Sequence, residues 1–150
     1  MGKTIAVLVA EPMTELDRLI ESAIKSEGKQ EDVNKVYLSL LKSRLFVPVK
    51  KLIEAAASEE EPFSPLFAKI EDQFFMAVFD TDERLITWAG DKYSEIDTVE
   101  LSGRDVIAGI NENVYLCLNV GTKFYKEFSP DEIKRLKMVV TKIDQLIPKN

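Results

Sequence analysis

The chain has 150 residues with no histidine, one cysteine and a net charge of −6 at pH 7. Lacking the one side chain that titrates near neutrality unaided, it cannot build Ser-His-Asp or Cys-His catalysis, a Cys/His zinc site or an internal disulfide from its own residues. The length fits a single domain with a substantial core, and the acidic balance speaks for solubility rather than for a nucleic-acid partner.

Ile5 to Ala10 is apolar but shorter than a signal-peptide core and is followed at once by Glu11-Pro12. It is also too short to span a bilayer. Residues 1–12 are therefore expected to be an N-terminal leader or an extra edge strand, with a single domain over 13–150. Thr14 is placed to cap a helix whose apolar positions are Leu16, Leu19, Ile20, Ala23 and Ile24, and Gly28 to end it. Val33, Val36, Tyr37, Leu40 and Leu41 repeat the stripe in a second helix. The two helices are expected to form an antiparallel pair covering one side of a sheet.

Leu45 to Val49 reads as a short strand in which Pro48, with no backbone donor, belongs at an edge or a strand end. Ile53 to Pro65 reads as a solvated loop because of Glu59-Glu60-Glu61 and two prolines. In Leu66 to Glu71 the residues Leu66, Ala68 and Ile70 mark one face of a strand. Phe74 to Phe79 is apolar on both faces, as a covered central strand would be. Asp80 and Glu83 stand at N-cap and N3 spacing, so the acidic run reads as a capping box rather than as a cation site. The helix that follows ends on Trp88-Ala89-Gly90, with Trp88 expected to pack on the sheet.

Val99 to Leu101 is a further short strand, after which Ser102 caps a brief helix through Val106, Ile107 and Ile110. Val114 to Val120 predicts a second central strand with Cys117 as a small core residue. Asn119-Val120-Gly121 turns the chain into a strand over Lys123 to Phe128. Ser129-Pro130-Asp131-Glu132 then opens a long helix striped by Ile133, Leu136, Val140, Ile143 and Ile147. The one cluster of basic residues, Lys134-Arg135-Lys137, lies on this helix. The order predicts an α+β fold: a mixed, largely antiparallel sheet packed by two N-terminal helices and a long C-terminal helix.

Several of these pieces together resemble the N-terminal domain of the SseB family. They are Leu41 to Val49 (LKSRLFVPV), Phe74 to Gly90 (FFMAVFDTDERLITWAG), Leu101 to Asp105 (LSGRD), Leu116 to Gly121 (LCLNVG) and Phe128 to Ile133 (FSPDEI). The similarity runs from about Leu16 into the last helix. Val120 departs from it, standing where other members often carry proline. The family label is associated with enhanced serine sensitivity and with type III secretion. The resemblance implies a non-enzymatic interaction or regulatory module with a protein partner. Composition and hydropathy lead to the further expectations of no cofactor or metal, no nucleic-acid or membrane partner, and a cytoplasmic location by default.

Three residues are candidate interaction points: Trp88, Arg104 and Tyr125. Arg104 follows Gly103 at a strand-to-helix turn, where a fork-shaped cation beside exposed amides suits a carboxylate or phosphate. That leaves a small-molecule pocket near Arg104 as an alternative function. A third possibility is an enzyme working through carboxylates alone, with Asp80 and Asp82 as its candidates.

Overall fold

The computed structural model describes residues 13–50 and 66–146. The expected leader over 1–12, the acidic loop over 53–65 and Ile147 lie outside the described residues. The chain divides into two compact units, the first ending at Ser39 and the second beginning at Leu40.

The first unit holds α1 (Glu15–Lys25) and most of α2 (Gln30–Lys42). Thr14 caps α1 as expected, in a full capping box: its hydroxyl accepts from Asp17 N–H, and Asp17 accepts from Thr14 N–H. The helix ends where Glu27 and Gly28 both turn to positive φ, 59° and 82°, a conformation glycine adopts without steric cost. Leu16 and Ile20 of the apolar stripe are buried, whereas Ile24, a full turn further on, is exposed. In α2 Val36, Tyr37, Leu40 and Leu41 of the stripe are buried, while Val33 is only half-buried.

The described residues of the second unit form two sheets. Strand β1 (Arg44–Lys50) pairs antiparallel with β4 (Ile96–Ser102) from Arg44↔Ser102 to Lys50↔Ile96. The other sheet has the order β2-β3-β5-β6, formed by β2 (Phe67–Ile70), β3 (Gln73–Val78), β5 (Val114–Leu118) and β6 (Lys126–Phe128). Its β2–β3 and β5–β6 pairs are antiparallel, and β3–β5 is parallel. A two-way bridge between Phe46 and Phe79 links the sheets, at 2.7 and 3.0 Å.

That bridge explains Pro48. Backbone groups alternate sides along a strand, so Phe46 and Pro48 both point away from β4. The donor that proline lacks is therefore not missed by the β1–β4 ladder, and its carbonyl accepts from Leu66 N–H.

Between β3 and β5 the chain runs through α3 (Asp82–Ala89), a 3-10 segment (Gly90–Glu95), β4 and α4 (Gly103–Gly109). The last helix, α5 (Pro130–Leu146), starts on the expected capping box, in which Ser129 and Glu132 bond each other's N–H. One face of the four-stranded sheet is core: Met76, Val78, Val114, Leu116, Leu118 and Phe128 are buried, as are Ile133, Leu136 and Val140 of α5, which packs on β5 and β6. Each such side chain contributes roughly 1.5–3 kcal/mol of burial free energy.

The outer strands differ from expectation. All four residues of β2 are exposed, so its alternation does not mark a buried face. Strand β3 is central in pairing but only its second half is covered, leaving Phe74 in solvent. The fold class is α+β with a long C-terminal helix, as the element order predicts.

Candidate functional site

Strands β3 and β5 run parallel, so the segments leaving their C-terminal ends, Phe79-Asp80 and Asn119, emerge side by side. Asn119 N–H bonds the Val78 carbonyl at 2.8 Å, and the Asn119 side-chain oxygen accepts Asp80 N–H at 3.1 Å. Asn119 is buried in the left-handed region at φ 59°, which asparagine tolerates better than most residues. Its carbonyl accepts from both the Thr122 amide and the Thr122 hydroxyl, closing the turn after β5.

Asp80 is not the helix cap. The N-cap is Thr81, whose hydroxyl accepts Arg84 N–H at 3.2 Å, which makes Arg84 the N3 residue and leaves Glu83 exposed. The Asp80 carboxylate turns inward instead and binds the Arg84 guanidinium at 2.8 Å. The guanidinium carbon lies 4.6 Å from the centre of the Phe124 ring, adding cation–π attraction to the ion pair. Asp82 stays in the exposed first turn of α3, so the structure does not bring the two candidate carboxylates together as a working pair.

One turn beyond Arg84 stands Trp88. Its ring packs against Phe79 at 5.4 Å between centroids, and a Cβ added at Gly121 would touch it at 3.4 Å. The expected packing is therefore partial, because 39% of Trp88 remains exposed. Helix α3 thus meets the β5–β6 loop through Arg84 against Phe124, and Gly121 leaves room beside Trp88 that any side chain there would fill.

The same loop carries Tyr125, 43% exposed. Its hydroxyl donates to Glu127 Oε1 at 3.0 Å and stands 3.7 Å from Cys117 Sγ. Burial pushes the Cys117 thiol above its ordinary value, the Tyr125 hydrogen bond opposes the shift, and the Glu127 charge adds to it. The Tyr125 hydroxyl is raised as well, first by burial and then by its bonds to Cys117 and Glu127. Both groups are held in their neutral forms, as a core thiol and a hydrogen-bonding phenol require. On this face of the sheet Phe75 stacks on Tyr115 at 4.9 Å.

Arg104 lies elsewhere, at the start of α4. Ser102 caps that helix as expected by accepting Asp105 N–H at 3.1 Å. The Arg104 fork reaches a carboxylate of its own chain: Nε donates to Asp144 Oδ1 at 3.1 Å, Nη2 to Asp144 Oδ2, and Nη1 to Asp105. The hydrogen bonds and charge of Asp144 hold the guanidinium firmly in its charged form. Its bidentate geometry is the one expected for carboxylate recognition, but it serves to tie the start of α4 to the end of α5.

Sequence reasoning missed Arg84, Phe124 and Asn119. The i, i+4 spacing of Asp80 and Arg84 was the available signal for the pair. Phe124 had none, because its partner lies 40 positions earlier in the chain. Among the described residues no group of three or more His, Cys, Asp or Glu side chains is placed to hold a metal ion. No helix there is long and apolar enough to cross a membrane.

The fold and site define an α+β domain in which a buried arginine–aspartate pair and an aromatic-bearing loop converge on the ends of two parallel strands. The SseB protein N-terminal domain model matches residues 16–135, and the chain belongs to that family. No curated protein matches the chain.

Proposed function

We propose that this SseB-family domain is a non-enzymatic protein-interaction or regulatory module of the cytoplasm that engages a protein partner through its exposed aromatic side chains. The observation that carries the reading is Trp88. Its indole packs on Phe79, and a Cβ at Gly121 would reach it, yet more than a third of the residue faces solvent. A rigid, half-exposed tryptophan loses little side-chain entropy on binding and offers a large contact area, the profile of an interface anchor. Tyr125 adds a second exposed aromatic from the loop that also carries Gly121. The candidate chemical groups are otherwise engaged: Asp80 with Arg84, Arg104 with Asp144, and Cys117 in a buried, protonated state.

The test is affinity capture from the native host by wild type, Trp88→Ala and Tyr125→Ala, followed by binding measurements with the purified captured protein. We expect one partner whose affinity falls at least about tenfold in Trp88→Ala, a hot-spot-sized loss, while the melting profile is kept. Broad hydrolase, transferase and phosphatase screens are expected to show no turnover. Reproducible turnover that vanishes on changing one carboxylate, with the fold intact, overturns the reading.

A further inference from the structure

The nine residues Lys134 to Lys142 (KRLKMVVTK) contain four cations and no acid, in a chain whose net charge is −6. Leu136 and Val140 of this stretch are buried. Lys137 is engaged internally, its Nζ donating to the carbonyls of Ile107 and Ala108 at 2.8 and 3.4 Å. The other three, Lys134, Arg135 and Lys142, are exposed and form no ion pair with any described residue. Several cations elsewhere are neutralised locally, as in Lys25–Glu21, Arg44–Glu100 and Lys92–Glu95.

Residues spaced by four stack along one side of a helix. Lys134, Met138, Lys142 and Leu146 therefore form a stripe along α5 that alternates cation and apolar group over a rise of about 18 Å. Met138 and Leu146 are 63% and 81% exposed, among the three most exposed large apolar side chains of the described residues.

We infer that this outer stripe of α5 docks an acidic amphipathic helix of a partner protein, one that presents carboxylates and apolar side chains at the same four-residue spacing. Charge complementarity selects that occupant. The same stripe of a second copy would set like charges against one another. A nucleic acid or an anionic membrane would meet only three free cations, on a chain whose net charge repels polyanions. Two separated apolar residues also bury little in a lipid interface. Methionine, flexible and polarizable, suits an adaptable apolar contact between the flanking cations. The inference does not depend on the Trp88 surface.

The probe is a fluorescein-labelled, stapled helical peptide carrying Glu and Leu alternately at four-residue spacing, titrated with the full chain at low and high salt. We expect saturable binding that weakens with salt and falls about tenfold in the Lys134→Glu/Lys142→Glu variant, as for removal of paired rim charges. A peptide with Lys in place of Glu should bind that variant better than wild type. The milder Lys134→Gln/Lys142→Gln variant, expected to bind at an intermediate level, carries the test if the reversal fails to fold. Lack of saturable binding at low salt, equal binding by folded charge variants and wild type, or tighter binding of a DNA duplex or of phosphatidylserine vesicles would each overturn the inference.

Discussion

Arg84 and Asp80 form an ion pair at 2.8 Å with only 1% and 5% of their side chains exposed. Taking two charges out of water is costly, and the attraction between them offsets that cost only with good geometry and further contacts. Here the Phe124 ring lies over the guanidinium at 4.6 Å, and Asn119 fixes the Asp80 backbone. The pair thus joins the exit of β3 to α3, and through Phe124 and Asn119 to the loop after β5.

Removing one partner leaves an uncompensated buried charge, so Asp80→Asn and Arg84→Met should each cost about 3–5 kcal/mol. The double variant should cost clearly less than the two singles together, because the stranded charge is gone. Urea unfolding of the four proteins measures this cycle. An Asp80→Asn protein within about 0.5 kcal/mol of wild type would restore the capping role, since asparagine and aspartate cap a helix almost equally well.

Local signals were legible wherever one segment determines its own structure. The caps at Thr14, Ser102 and Ser129 and the stripe of α5 follow from nearby spacing alone. The Asp80 site was not legible, because Asp80 and Thr81 are both good caps and the choice between them depends on where the Arg84 guanidinium is buried. The β2–β3 hairpin hid its turn for a different reason. Glu71 and Asp72 both adopt positive φ, 50° and 70°, without the glycine or asparagine that usually signals a two-residue loop. The parallel pairing of β3 with β5, which creates the site, joins segments about 40 residues apart and leaves no mark in either.

Gly103 tests how closely the start of α4 approaches the backbone at Leu40. A Cβ at this position would lie 1.8 Å from the Leu40 carbonyl oxygen and 2.7 Å from its carbon, both backbone atoms that cannot rotate away. The Gly103 N–H also bonds the Ser43 carbonyl at 2.8 Å, fixing the approach. Gly103→Ala should therefore destabilise by about 3 kcal/mol, the upper end of overpacking costs, or prevent folding. Gly109→Ala, with open space around its Cβ, is the control. Thermal unfolding of the two variants side by side decides the matter, and equal melting temperatures would remove the close-approach argument.

Cys117 should react slowly. Its thiol is buried in β5, and burial shifts it toward the protonated, non-nucleophilic form. A maleimide reagent at neutral pH is expected to label the chain only on addition of denaturant. Tyr125→Ala should speed labelling of the folded protein, because the phenol lies against the sulfur. Rapid labelling of folded wild type would contradict the core placement.

Alkaline pH should weaken the fold through this same pair. Cys117 and Tyr125 are both raised in the folded state from ordinary values of 9.0 and 10.0. A raised acid keeps its proton in the native state after the unfolded chain has lost it, so the unfolded state binds fewer protons and stability falls with rising pH. The stabilisation is complete below about pH 9 and is lost progressively above it, first as unfolded Cys117 ionises and then as unfolded Tyr125 does. The informative quantity is a difference between two proteins that differ only at this pair. In urea unfolding between neutral pH and pH 11, the Cys117→Val/Tyr125→Phe variant should lose less stability than wild type. Parallel curves for the two would show that neither group is shifted by folding.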